Sequence, residues 1–202
     1  MAGREPIRVH HGRVAPLRRV HVDTDQIIPK QFLKRVERSG FGPFLFFDWR
    51  RRADGQLDPA FVLNQPRYAG ATILVSGPNF GCGSSREHAA WALADAGFRI
   101  VMAPSFADIF RSNAIGNGML PVTLADAAIT TVLDRAEAED AYAVDVDLER
   151  CEVRDAHGLV GRFTIDEASR QRLLSGLDEI DTILAHEPDI AAFERHRGDA
   201  MA

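Results

Sequence analysis

The chain has 202 residues, 46% hydrophobic and 26% charged, a composition of globular proteins rather than of disordered or fibrous ones. A chain of this length buries roughly 70% of the surface that its unfolded form exposes, and its 2 cysteines, Cys82 and Cys151, lie far apart without C-x-x-C spacing, which excludes a zinc site or a cluster held by this chain alone. The balance of 24 Lys+Arg against 29 Asp+Glu, net charge -5, excludes the general positive field that holds nucleic acid.

In chain order, residues 1–14 carry charges and histidines but no apolar signal-like run, and no stretch approaches the ~18 uncharged apolar residues of a membrane span. A reducing, cytoplasmic setting without membrane contact is therefore expected. Ile7-Arg8-Val9 and Arg13-Val14-Ala15 read as two short strands around Gly12, and Val20-His21-Val22 as a third. Asp23 to Pro29 reads as an irregular, well-fixed loop, since Pro29 cannot donate a backbone hydrogen bond and biases Ile28 to an extended shape. A short helix over Lys30 to Val36 follows. Residues 39–66 form a long connection, held to the body by Phe41, Phe44, Phe46, Phe47 and Trp49. Within it, Arg50-Arg51-Arg52 reads as a solvated or partner-facing cluster.

Ala71 to Val75, Phe98 to Ala103 and Met119 to Leu124 read as buried strands. Between them lie two helices. Ser84 and Glu87 have capping-box spacing ahead of the first, which should stop at Gly97, and Ser105 should cap the second through Phe110. Asn113 with Gly116-Asn117-Gly118 reads as a turn. Strand and helix in alternation predict parallel strands with crossover helices. After Asp126 a helix to about Ala138 is expected. Strands at Tyr142 to Leu148, Cys151 to Arg154 and Leu159 to Ile165 follow, with a hairpin turn at 155–158. Asp166 and Asp178 are N-cap candidates for two final helices, and residues 196–202 read as a frayed tail. The expectation is one α/β domain over residues 1–202, a parallel strand-helix unit beside antiparallel strands.

Chemistry concentrates in two stretches. Asn79-Phe80-Gly81-Cys82-Gly83-Ser84-Ser85-Arg86-Glu87-His88 runs from a strand end into a helix N-terminus. Two glycines let backbone approach a ligand, first-turn N–H groups lack intrahelical partners, and the fork of Arg86 suits a carboxylate or phosphate. A plainer reading has Ser84 only capping the helix, with Ser85 and Arg86 in solvent; the glycines tip the balance to anion binding. No Walker lysine, third dinucleotide glycine or G-x-S-x-G elbow is present. Ser84 with His88 at i, i+4 is a weak base pair, and Cys82 suits a packing role better than that of a nucleophile. The second stretch is Asp23-Thr24-Asp25-Gln26-Ile27-Ile28-Pro29, whose paired acids could bind metal, backbone amides or an arginine; structure is favoured over metal.

Together, Asp-Thr-Asp followed by Ile-Ile-Pro-Lys-Gln-Phe-Leu and the run Gly-Cys-Gly-Ser-Ser-Arg-Glu-His resemble the small subunits of 3-isopropylmalate dehydratases, which are similar to the swivelling domain of aconitase. The resemblance implies a three-layer β/β/α swivelling domain. It also implies a hydro-lyase active only in a heterodimer with a large subunit. That large subunit would hold a 4Fe-4S cluster on three cysteines, leaving no cofactor on this chain. It implies Ser84 as the catalytic base, with Ser85 and Arg86 binding the substrate carboxylate and Asp25 in the polar network. The substrate would be a small hydroxy diacid, 2-isopropylmalate in leucine biosynthesis, and an apolar wall for its isopropyl group is sought near Ile27, Ile28 and residues 30–33. Related hydro-lyases acting on citraconate, dimethylmalate or homoaconitate share the apparatus, and a non-catalytic anion-binding module is the alternative of another class.

Overall fold

In the computed structural model, which describes residues 5–34, 37, 39–176, 187 and 193, the two short strands expected around Gly12 are a single strand, β1 (Val9–Leu17). The other strands are β2 (Ile73–Ser76), β3 (Ile100–Ala103), β4 (Leu120–Thr123), β5 (Ala143–Asp147), β6 (Glu152–Asp155) and β7 (Gly158–Arg162). They form one seven-stranded sheet in the order β4-β3-β2-β1-β5-β6-β7. The halves of β1 serve different neighbours: from Val14 to Leu17 it pairs in parallel with β2, and from Val9 to Arg13 it pairs antiparallel with β5. Gly12 sits at the changeover, where a Cβ would lie 2.3 Å from Thr72 Oγ1, so any side chain would wedge the two strands apart.

β2, β3 and β4 continue the parallel half, and β5, β6 and β7 the antiparallel one. This is the predicted parallel unit beside antiparallel strands. The helices are α1 (Thr24–Ile27), α2 (Phe47–Arg50), α3 (Glu87–Asp95), α4 (Asp108–Gly116), α5 (Asp126–Ala138) and α6 (Glu167–Ser175). The parallel strands are buried on both faces, as crossover strands must be, and side chains alternate between two cores. Leu74 and Val101 join α3, α4 and the aromatic connection, whereas Ile73, Val75, Ile100 and Met102 join α5 and the antiparallel strands. Phe41, Leu45 and Phe46 of the connection are fully buried, which anchors residues 39–66 without strands. No helix among the described residues is long and apolar enough to cross a membrane.

Several local expectations are corrected. Val20-His21-Val22 is not a strand: His21 takes φ 52° and its N–H donates to Pro78 O at 2.9 Å, which turns the chain. The supposed irregular loop after it contains α1, because Asp23 accepts from the Gln26 N–H at 2.8 Å while Gln26 Oε1 accepts from the Asp23 N–H at 3.0 Å, a reciprocal capping box. Lys30–Phe32 is one 3-10 turn rather than a helix; Val36 lies outside the described residues. Ser105 does not cap α4, since its hydroxyl accepts from the Asn79 N–H at 2.9 Å instead, and Asn113 and Gly116 belong to α4 rather than to a turn. Asp166 does cap α6, accepting from the Ser169 N–H at 2.9 Å. Asp178 and the tail from His196 lie outside the described residues.

α5 is tied to the antiparallel strands by one buried carboxylate. Asp155, whose side chain is 0% exposed, accepts from Tyr142 Oη, Arg135 and the His157 N–H. Burial alone would raise its pKa, but the hydrogen bonds from Tyr142 and His157 and the Arg135 guanidinium outweigh it and hold the carboxyl below the usual range. A lowered pKa contributes stability that is complete above about pH 4 and is lost as pH falls through the folded value. Asp155→Asn should therefore lose about 2 kcal/mol at pH 7, a reduced value because Arg135 is partly exposed, and should show a shallower loss between pH 5 and 3. Urea unfolding across that range measures both.

Candidate active site

Parallel pairing of β1 and β2 makes the segments that leave them emerge side by side. Gly81 N–H donates to Val22 O at 2.7 Å, and Asp23 and Cys82 form a parallel bridge in which the Thr24 N–H donates to Cys82 O at 2.9 Å. Thr24 Oγ1 then donates to Ser84 O at 2.9 Å. The two stretches singled out in the sequence are thus laced together. Gly81 has φ 78°, and a Cβ there would meet Phe110 Cγ at 2.2 Å. Only glycine lets the backbone lie on that ring.

The loop does not run into the helix as the Ser84/Glu87 spacing suggested. α3 begins at Glu87 with Arg86 at the N-cap and no side-chain cap, so Ser84 and Ser85 precede the helix, and both are exposed. Their hydroxyls hydrogen-bond nothing among the described residues. Ser84 and His88 do not share a helical face; His88 turns inward, with ring centroids 5.2 Å from Phe41 and 4.6 Å from Trp91, and burial lowers its pKa. Burial, and secondarily the Asp23 carboxylate, pushes the Cys82 thiol up, which disfavours the thiolate a nucleophile needs.

All four candidate residues fall on these two laced segments. Arg86 Nη1 donates to Asp25 Oδ1, and Lys30 Nζ lies 3.4 Å from Asp25 Oδ2. The Arg86 side chain is 10% exposed and that of Asp25 39%, so the guanidinium is fixed by packing while its partner meets solvent. Asp23 and Asp25 part ways: one caps α1, the other holds the arginine, and no group of three or more His, Cys, Asp or Glu poised for a metal occurs among the described residues. The arrangement offers two free hydroxyls on an open surface next to a largely buried guanidinium at the N-terminus of α3, a set suited to a carboxylate beside an exchangeable proton. Clefts of about 150 Å³, between Arg18, Pro78, Pro104 and α5, and about 120 Å³, between Arg50, Tyr68 and Phe98, include no residue of the 79–88 loop.

Sequence reasoning passed over Thr24 and the Gln26 end of the capping box; the Asp-x-x-Gln spacing was the available signal. Ile27 and Ile28 are wholly buried and cannot wall an open site. Of the apolar segment sought there, Phe32 and Leu33 remain partly exposed, with Phe32 stacked on Phe44 at 4.2 Å. The basic cluster is consumed locally: Arg50 donates to Asn64 Oδ1, Arg51 to Gly55 O, and Arg52 faces Asp58.

The family model of the aconitase C-terminal domain matches residues 5–127. The chain is 54% identical to the 3-isopropylmalate dehydratase small subunit of Anoxybacillus flavithermus, over 96% of this chain and 99% of that one. It is 55% identical to that of Acidobacterium capsulatum, over 95% and 90%. Among solved structures, it resembles 3-isopropylmalate dehydratase from Methanocaldococcus jannaschii with TM-score 0.67 and 27% identity, covering 91% of this chain and 98% of that one.

The seating of the loop on Phe110 is testable apart from function. Gly81→Ala combines a left-handed backbone with a clash on the ring, and should cost about 2–4 kcal/mol of stability, read as a lowered urea midpoint. An unchanged midpoint would show that the ring yields freely.

Proposed function

The chain belongs to the 3-isopropylmalate dehydratase small subunits, which carry the aconitase C-terminal domain, and we propose that it supplies half of a hydro-lyase active site that a large subunit completes. The reaction interconverts 2-isopropylmalate and 3-isopropylmalate by loss and re-addition of water in leucine biosynthesis. The names and 54–55% identities of the relatives favour this diacid over its near analogues. This chain's residues do not fit a 4Fe-4S cluster, because its 2 cysteines cannot give three ligands. The cluster is assigned to the large subunit.

The observation that carries the reading is an exposed Ser84 hydroxyl beside an Arg86 fixed by Asp25, at the start of α3. A C–H next to a carboxylate is a weak acid and a serine hydroxyl a weak base, so proton removal needs charge stabilisation as it develops. Ser84 takes the proton as its alkoxide, a form that the partial positive charge at the N-terminus of α3 favours; the C–H electron pair passes into the carboxylate and then forms the C=C bond as the neighbouring hydroxyl leaves as water with a proton that the large subunit would supply. Arg86 and the Ser85 hydroxyl hold the carboxylate whose negative charge grows as the C–H bond breaks. Asp25 orients Arg86. On re-addition the Ser84 hydroxyl gives a proton to the carbon that had lost the hydroxyl, and water adds its oxygen to the other carbon of the double bond.

In the reconstituted pair, Ser84→Ala should leave unfolding and subunit pairing unchanged, since the hydroxyl bonds nothing among the described residues, yet cut kcat roughly 10²-fold or more. Near-normal turnover would remove Ser84 from the role. Arg86→Lys keeps the charge but loses the planar fork that holds the carboxylate before and during charge development, so KM should rise and kcat fall, each roughly tenfold. Steady-state assays on the diacid distinguish the two effects.

A further inference from the structure

We infer that Thr24 is a positioning residue that fixes the 84–85 peptide, holding the Ser84 hydroxyl and the Ser85 N–H on the open face of the site; the inference rests on the reading of Ser84 as base. Thr24 is 2% exposed, and all three of its polar groups are engaged. Its N–H donates to Cys82 O at 2.9 Å, its hydroxyl donates to Ser84 O at 2.9 Å, and its carbonyl accepts from the Ile28 N–H at 3.0 Å. The hydroxyl has no duty at the start of α1, because Asp23 already caps that helix with Gln26.

The consequence follows from peptide geometry. In a planar trans peptide the C=O and the next residue's N–H point in opposite directions. Two carbonyls turned inward to one threonine, those of Cys82 and Ser84, therefore turn the N–H groups of Gly83 and Ser85 outward. Neither N–H has an acceptor among the described residues. Between the two carbonyls Gly83 takes φ 93°, a left-handed backbone that glycine adopts without strain. The Ser84 side chain is exposed, and its hydroxyl has no hydrogen-bond partner among the described residues. Its orientation depends on its own carbonyl, and that carbonyl depends on the Thr24 hydroxyl.

A merely structural threonine would satisfy a buried carbonyl and influence stability alone. The reconstituted heterodimer separates the two roles. Thr24→Ser retains the donor and should keep kcat within about threefold of wild type, whereas Thr24→Val retains the shape and the N–H bond but should lower kcat roughly tenfold or more with little change in KM. If Thr24 acts through Ser84, the double variant Thr24→Val/Ser84→Ala should be no slower than Ser84→Ala alone. A multiplicative loss would overturn the proposal, as would wild-type kcat for Thr24→Val at a temperature where it is fully folded. Backbone NMR order parameters of residues 83–86 in the full chain give a readout independent of the base: they should fall in Thr24→Val and not in Thr24→Ser. If Ser84→Ala proves near-normal while Thr24→Val still loosens the loop and slows turnover, the base reading fails and the clamp stands. Unchanged order and turnover in Thr24→Val would remove the clamp.

Discussion

Parallel pairing between β1 and β2 is the constraint on which the site depends. Strands that run side by side in the same direction deliver their outgoing segments to the same edge of the sheet, and here that brings Asp23–Ile28 against Gly81–Arg86. The contact is mostly backbone: two inter-segment N–H···O bonds and one hydroxyl, all at 2.7–2.9 Å. Side chains are thereby left over for chemistry. A loop held only by its own side chains would have spent Ser84 and Ser85 on structure as well, whereas here only Arg86 is engaged, with Asp25.

The two-core arrangement explains how such a loop tolerates being open. Strands β2 and β3 are buried on both faces, so the platform under the loop draws its stability from both layers and not from the loop itself. Phe80 and Phe110, both nearly or fully buried, extend one core up to the backbone of Gly81. Three residues later the chain is in solvent. That short distance between rigid core and exposed hydroxyl restricts where Ser84 can go, and restricted motion is what a reacting group needs from its scaffold.

How much was legible in the sequence follows from which signals are local. The buried strands at 73–76, 100–103 and 120–123, and α5 at Asp126–Ala138, came through because continuous β-branched runs and 3.6-residue periodicity survive in the fold. The four candidate residues were legible as a motif, but their geometry was not. The Ser84/Glu87 spacing imitates a capping box, yet Thr24 holds the Ser84 carbonyl and Arg86 is extended at φ -143°, ψ 110°, so α3 starts later. Ser105 failed as a cap for a similar reason, since a distant backbone N–H at Asn79 claims its hydroxyl. In each case a long-range hydrogen bond displaced a local one that sequence spacing alone could propose.

The Arg86–Asp25 pair decides whether the site is ready for an anion or blocked. Asp25 accepts from Nη1 alone, and the guanidinium has five N–H donors, so its second edge remains free of partners among the described residues. A carboxylate on Asp25 therefore does not cancel the arginine; it sets the plane in which the other edge is offered. With the side chain only 10% exposed, the rotamer entropy of ordering a long arginine, about 2 kcal/mol, is already lost on folding. An incoming carboxylate meets a fork that has no further freedom to give up. An exposed arginine with the same charge would lose part of any binding energy to that ordering, and so burial of the side chain, more than the charge itself, is what pre-organises Arg86.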